Sequence, residues 1–451
     1  MNCLRHLAAS VFVTGTLLMG PALAQKAPLT DANTPLHALQ PDYLTPYREV
    51  SPQEVKGVLD RVRAYLEAVT PTQVVDRATA AVITDRKKPV QNAALQAGDF
   101  RLTSYEWGVT YGAMLLAGQV TGDKRYTDYT AARMKFLSEV TPYFRAYQQK
   151  YPNEQNPLRQ MLSPHALDDA GAMCMAMIKA ERAGVGGNLR PQIDLYMDYI
   201  MNKEYRLADG TLARNRPLPN TLWLDDLYMS VPAIAQMGKL TGDTKYYDEA
   251  VKQVRQFSQR MFNREKGVYM HGWVESMETH PQFHWGRANG WALMTKVELL
   301  EVLPENHPGR AEVLALLKAH IRGLASYQSG EGFWHQLLDR NDSYLETSAT
   351  AIYAYCIAHA INRGWIDRQA HASMALLAWN AVSTKVNEKG QVEGTCVGTG
   401  MAFDPAFYYY RPISPYAAHG YGPVLLAGAA MYQLLQEHPN KMNDSAMMFP
   451  N

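Results

Sequence analysis

Cysteine is scarce: four stand in 451 residues, and only Cys174, Cys356 and Cys396 lie beyond the first few positions. Three thiols cannot all pair within one chain, and Cys174 and Cys356 sit in apolar stretches, so a disulfide scaffold is excluded and both read as buried core residues. An excess of charge of either sign is also missing. Lys and Arg total 44 against 43 Asp and Glu, a formal net charge of +1, and no basic run stands out. Nucleic acid and anionic membrane surfaces are therefore excluded as partners. Beyond the N-terminal segment, no uninterrupted apolar stretch is long enough to cross a bilayer. What the chain does have is 47% hydrophobic and 19% charged residues, a composition that supports a large core and argues against disorder.

The start reads as a signal peptide over residues 1–24. Arg5 precedes an apolar stretch from Leu7 to Ala24 that Gly15, Gly20 and Pro21 interrupt, and Ala22-Leu23-Ala24 fits a small-x-small cleavage site before Gln25. A membrane anchor is the alternative. The expectation is a periplasmic or secreted protein with no membrane span after cleavage. Pro28, Pro35, Pro41, Pro46 and Pro52 mark residues 25–52 as an extended linker, and the polar, Met-rich tail over 438–451 is expected to fray.

Residues 53–437 repeat. Gly118-Gln-Val-Thr-Gly-Asp-Lys-Arg-Tyr126 returns 120 residues later as Gly238-Lys-Leu-Thr-Gly-Asp-Thr-Lys-Tyr246. A polar or aromatic cluster leading into a small-residue apolar helix begins near Tyr105, Asp168, Asp225, Gly286, Glu346 and Tyr421. A period near 60 residues is two helices with their connections, an αα-hairpin. The first helix of each unit is apolar almost all round. The second is amphipathic: in Thr244–Phe262, Tyr247, Ala250, Val251, Val254 and Phe257 share one stripe. The sixth apolar helix has no follower and the helix near Pro52–Val69 has no predecessor. The simplest closure is an all-α six-hairpin (α/α) barrel, twelve helices in two concentric rings; an open solenoid is the alternative.

In such a ring the inner helices start at one end, where their dipoles favour anions. Those starts and the segments entering them gather Tyr105, Glu106, Trp107, Asp168, Asp169, Trp223, Asp225, Asp226, His271, His280, His284, Trp285, Arg287, Asn289, Glu346 and His419. Rings that stack on sugar C–H faces, beside carboxylates that accept sugar hydroxyls, suit a carbohydrate. Each also has a plainer reading, such as a helix cap, a core aromatic or a satisfied buried acid. His280 and His284 with Glu278 hint at a metal, but Pro281 interrupts them and no third ligand has clear spacing, so no metal and no cofactor are expected.

Three segments, Trp223-Leu-Asp-Asp-Leu-Tyr-Met229, His284-Trp-Gly-Arg-Ala-Asn-Gly-Trp291 and His419-Gly-Tyr-Gly-Pro423, resemble the unsaturated glycuronyl hydrolases of glycoside hydrolase families 88 and 105, most closely the rhamnogalacturonyl hydrolases, over roughly residues 53–437. The resemblance implies the same barrel. It also implies a substrate left by polysaccharide lyases, an oligosaccharide ending in a uronic acid with a C4=C5 double bond. The family hydrates that bond; the resulting hemiketal opens and the glycosidic bond breaks. By this resemblance Asp225 is the general acid/base, with a raised pKa, and Asp169 of Asp-x-Gly is the second catalytic carboxylate. His271, Trp285, Arg287 and His419 match substrate-binding positions, Asp226 supports, and Trp107, Trp223 and Asn289 join the substrate-binding set from their place at the rim. Families of this kind often carry an acid before the last His-Gly, where this chain has Ala417-Ala418, and Met401–Tyr410 looks particular to a subgroup. An ordinary two-carboxylate glycosidase on saturated sugars and a non-catalytic glycan-binding protein are the competing readings.

Overall fold

The computed structural model describes residues 27–34, 36, 39, 43–443 and 446–450. The expected signal peptide lies outside the described residues. Residues 1–41 form a unit of their own, of which the described part holds a turn closed by Asn33 Oδ1 accepting from Thr30 N at 2.8 Å.

Residues 42–451 form the second unit, an (α/α) barrel. Its inner helices are Tyr105–Thr121, Leu167–Arg182, Val231–Thr241, Gly286–Val302, Thr347–Asn362 and Tyr421–Glu437. Each packs on the next, and the last packs on the first, so the ring closes. The outer helices are Pro52–Val69, Lys124–Lys150, Arg190–Asp198, Lys245–Met261, Arg310–Ala325 and Arg368–Ser383. The unmatched N-terminal helix packs beside Tyr421–Glu437, as the sequence requires of a closed ring. Its start is a capping box: Ser51 Oγ accepts from Glu54 N and the Glu54 carboxylate accepts from Ser51 N.

Burial explains the two sequence textures. In Gly286–Val302 every residue but Glu301 is buried, whereas Lys245–Met261 buries one stripe headed by Tyr247, Ala250, Val251, Val254 and Phe257. The Thr-Gly-Asp turns join inner to outer helices as expected: Gly122 and Gly242 end their helices at φ 69° and 75°, and Asp123 caps the following helix by accepting from Arg125 N. One helix starts later than its repeat suggests. Asp225 and Asp226 lie in a single tight turn, Leu224–Leu227, and the helix proper begins at Val231, with Pro232 in its first turn.

Two boundaries differ from expectation. The described part of the tail is paired and packed: Lys441–Met442 pairs with Met447–Met448, and Met447 and Phe449 are buried. The second half of the linker is likewise bound. Asn440 takes Val50 by both backbone groups, accepting from its N at 3.1 Å and donating to its O at 2.7 Å. The reason is shared apolar burial, which composition alone understates.

Candidate active site

A short ribbon builds the centre of the site. Thr221–Trp223 pairs antiparallel with Gly272–Val274, Trp223 opposite Gly272, and Leu224 N donates to His271 O at 2.9 Å. This pairing brings two segments distant in sequence to one edge, and Asp225 follows in the turn. Asp226, next along, points inward and is fully buried, where Arg214 forks onto it with Nε at 2.8 Å and Nη2 at 2.5 Å. Such a pair is structural: removing one partner strands the other charge. Asp225 faces the rim with its side chain 14% exposed, and His271 Nε2 lies 2.8 Å from its Oδ2. Tyr408 OH lies 2.7 Å from the other ring nitrogen, Nδ1.

The electrostatics divide the carboxylates differently from the sequence reading. Burial pushes Asp225 up, but the attraction and hydrogen bond of His271, with Arg214 and Arg287 beyond, outweigh it and hold Asp225 below its usual value. The carboxyl that is raised is Asp168. Burial lifts it, Arg214 opposes, Asp226 and Asp225 add to the lift, and it reaches about 6. Asp168 sits on the outer side of the same guanidinium, 3.1 Å from Arg214 Nη2, with its side chain 31% exposed.

Several expected site residues are placed elsewhere. Asp169 accepts from Gln160 Nε2 at 2.7 Å and from His165 N at 2.9 Å, so it ties down the loop entering its helix. Trp107 is wholly buried, stacked on Phe100 and donating to Tyr129 OH; its neighbours Tyr105 and Glu106 face the rim in its place. Asn289 is also wholly buried. Its amide accepts from Tyr269 N and donates to Tyr269 O, fixing the strand that leads to His271. Trp285 is buried against His271, ring centroids 4.8 Å apart. His419 is buried too, held by Tyr105 OH and lying 3.4 Å from Glu106. Trp223 remains half-buried, with Arg214 and Arg216 over its ring.

Arg287 has a task of its own. It is 1% exposed and donates to Cys396 O and Val397 O, each at 2.7 Å. Glu346, also buried, accepts from Cys396 N at 2.8 Å. Together they hold both backbone groups of Cys396 and set the loop from Thr395 to Tyr410 over the rim. A methyl group on Gly400 would lie 3.4 Å from the Trp223 ring and one on Gly398 3.8 Å from His419, so this loop roofs the site. Its short helix, Pro405–Tyr409, delivers Tyr408. Sequence reading overlooked Tyr408 and Arg214, since neither stands at a repeat position. Among the described residues, no three His, Cys, Asp or Glu groups converge as metal ligands. His280 bonds to the Val274 backbone and His284 to Asp339.

A closed barrel of this kind has known counterparts. The sequence profile of Glycosyl Hydrolase Family 88 matches residues 74–435. The chain belongs to this family. It is therefore a glycoside hydrolase by descent. An unsaturated rhamnogalacturonyl hydrolase, YesR of Bacillus subtilis (strain 168), is 26% identical over 235 residues, 51% of this chain and 66% of the relative. An unsaturated 3S-rhamnoglycuronyl hydrolase of Alteromonas sp. (strain LOR) is 28% identical over 284 residues, 59% of this chain and 67% of the relative. The matches thus span about two-thirds of these relatives. A crystal structure described as a possible member of family GH105, from Salmonella enterica serovar Paratyphi A, superposes with TM-score 0.66 at 24% identity, covering 91% of this chain and 99% of the other. It shares the fold.

Proposed function

We propose that this family 88 chain releases the C4=C5-unsaturated uronic acid from the non-reducing end of lyase-generated oligosaccharides, an unsaturated rhamnogalacturonan disaccharide first among them, by hydrating the double bond through Asp225. The observation that carries the reading is the accessible Asp225 carboxylate on His271, beside Trp223 and a raised second carboxyl, Asp168. The relatives' names support the substrate class. The expected signal peptide supports a periplasmic or secreted site of action, and no oligomeric state is implied.

The unliganded site holds Asp225 ionised, so it enters the reaction without the proton that C4 needs. The substrate's own carboxylate supplies the change. A second anion in the roofed site disfavours the charged form of Asp225 and draws a proton onto it. Asp225 then gives that proton to C4, and as water attacks C5 the same carboxylate takes one back. Asp168 holds a proton near pH 6 and stands close enough to Asp225 for the two to influence each other.

The test is Asp225→Asn with unsaturated and saturated disaccharides. Turnover should fall by at least about 10²–10⁴-fold, while the fold persists. In heavy water the parent should place deuterium at C4 of the released acid at early times, against a product-only control, as the absorbance of the conjugated double bond falls. Equal cleavage of the saturated disaccharide, or near-parental rates in Asp225→Asn, would reject hydration through Asp225 and leave a two-carboxylate glycosidase.

A further inference from the structure

We infer that Tyr408 is a positioning residue: its hydroxyl, donating to His271 Nδ1, helps hold the imidazole with its Nε2–H toward Asp225. The inference deepens the proposed function, because it concerns how the acid/base group is held.

The donors around one hydroxyl fix its direction. Ala402 N donates to Tyr408 OH at 3.2 Å, so the phenol oxygen is already an acceptor. Its own O–H has two possible acceptors: His271 Nδ1 at 2.7 Å and Ala402 O at 3.4 Å. The nearer is a normal hydrogen bond and the farther a poor one. The phenol stays protonated, because burial pushes its pKa far up. With Nδ1 accepting, the ring proton lies on Nε2, which faces Asp225 Oδ2 at 2.8 Å. The other tautomer would aim a lone pair at a carboxylate, and would turn Tyr408 OH to its distant partner. Which nitrogen holds the proton is set by the bond the other makes.

The triad is rigid. His271 is buried, its backbone N donating to Phe283 O and its O accepting from Leu224 N. The Tyr408 ring packs on His271, Phe283 and Phe407. The charged and titratable groups facing Asp225 and the triad come from every side: Arg214 on the ribbon approach, Asp168 and Tyr105 from two inner helices, Arg287 from a third, and Asp404 beside Tyr408. None of these bonds to His271, whose two ring nitrogens are held by Asp225 on one side and Tyr408 on the other. Tyr408 stands on the segment that looks particular to a subgroup.

Tyr408→Phe keeps the ring and removes the bond. Two readouts test it. In the unliganded protein, ¹⁵N chemical shifts of the His271 ring, assigned with His271→Gln, should show Nε2–H in the parent and a mixture of tautomers in Tyr408→Phe. With unsaturated disaccharide, kcat should fall roughly 10–100-fold, the range for partners that orient a functional histidine, with KM changing less than about two-fold. Losing the donor from His271 also lets Asp225 rise, so the limb of the kcat/KM profile that Asp225 controls should move to higher pH. Phe407→Leu, which loosens the same short helix and keeps the hydroxyl, should change neither tautomer nor profile.

Nδ1–H in the parent overturns the inference, as does a Tyr408→Phe protein with parental tautomer and pH profile. Equal effects from Phe407→Leu would assign them to the helix and overturn it as well. The nuclear magnetic resonance measurement needs no turnover, so it decides this inference even if Asp225→Asn remains active and the proposed function fails.

Discussion

Single residues of one chemical type are sorted at this rim by burial and by what they touch. Asp225 and Asp226 are adjacent, yet one is open to the funnel and the other is locked under Arg214. Asp168 and Asp169 divide the same way, with Asp169 tied to a loop and Asp168 left with a raised pKa of about 6. That difference predicts a pH-dependent stability. The folded-state pKa of Asp168 lies above its ordinary 3.8, so the fold prefers the protonated acid. The cost of ionising it is absent below about pH 4, grows toward pH 6 and is constant above. Asp168→Asn removes that cost. Its stability relative to the parent should therefore rise between pH 4 and 7.5, by roughly 1–3 kcal/mol. Urea unfolding of both proteins at the two pH values checks it, and a difference that is flat or falls with pH would mean the acid is ionised throughout. Sequence alone found the rim and Asp225's motif, because apolar helices announce their polar starts. It chose Asp169 where the raised carboxyl beside Asp225 is Asp168, since which of two neighbours points at the rim depends on helix phase at its first turn. It also did not show that Trp107 and Asn289 turn into the core, where large aromatic burial and backbone bonding claim them.

Elements without strong periodicity were the illegible ones. The six inner and six outer helices were readable because two ring positions impose two textures, buried all round or buried on one stripe. The ribbon that joins Trp223 to Gly272 is three residues a side and too short to leave a pattern, although it carries His271 to Asp225. The C-terminal hairpin is similar: Met447 and Phe449 are buried, but two apolar residues in a polar tail look like a frayed end. Removing residues 439–451 should expose the surface they cover and break the clasp of Asn440 on Val50. Burial of two large apolar side chains is worth about 3–5 kcal/mol, so the truncated protein should lose stability of that order. Asn440→Ala alone should lose about 1–2 kcal/mol. A truncated protein with the parental melting temperature would restore the expectation of a loose tail.

On the scale of the whole molecule, closure is the property that matters, and it is carried by a seam. Pro52–Val69, the first long helix, packs on Tyr421–Glu437, the last, through Val55, Leu59, Val62 and Leu66, which are fully buried or nearly so. The approach is tight enough that a methyl group on Gly428 would lie 2.5 Å from Leu59 Cδ2. In an open array of hairpins a defect in the terminal unit frays that unit and leaves the rest intact. In a closed ring each inner helix leans on two neighbours, so weakening the seam loosens Tyr421–Glu437, and through it both Tyr105–Thr121 and Thr347–Asn362. Those helices hold Glu106 beside His419 and Glu346 beneath the roof loop. Leu59→Ala should cost about 2–5 kcal/mol, and the loss should be shared. Amide exchange should accelerate in Gly286–Val302, on the far side of the ring, by about the same factor as in Tyr421–Glu437, since both would open only through the common unfolding transition. If instead protection falls at the seam while Gly286–Val302 keeps parental rates, the ring behaves as a solenoid whose ends merely touch, and the cooperativity expected of closure is absent.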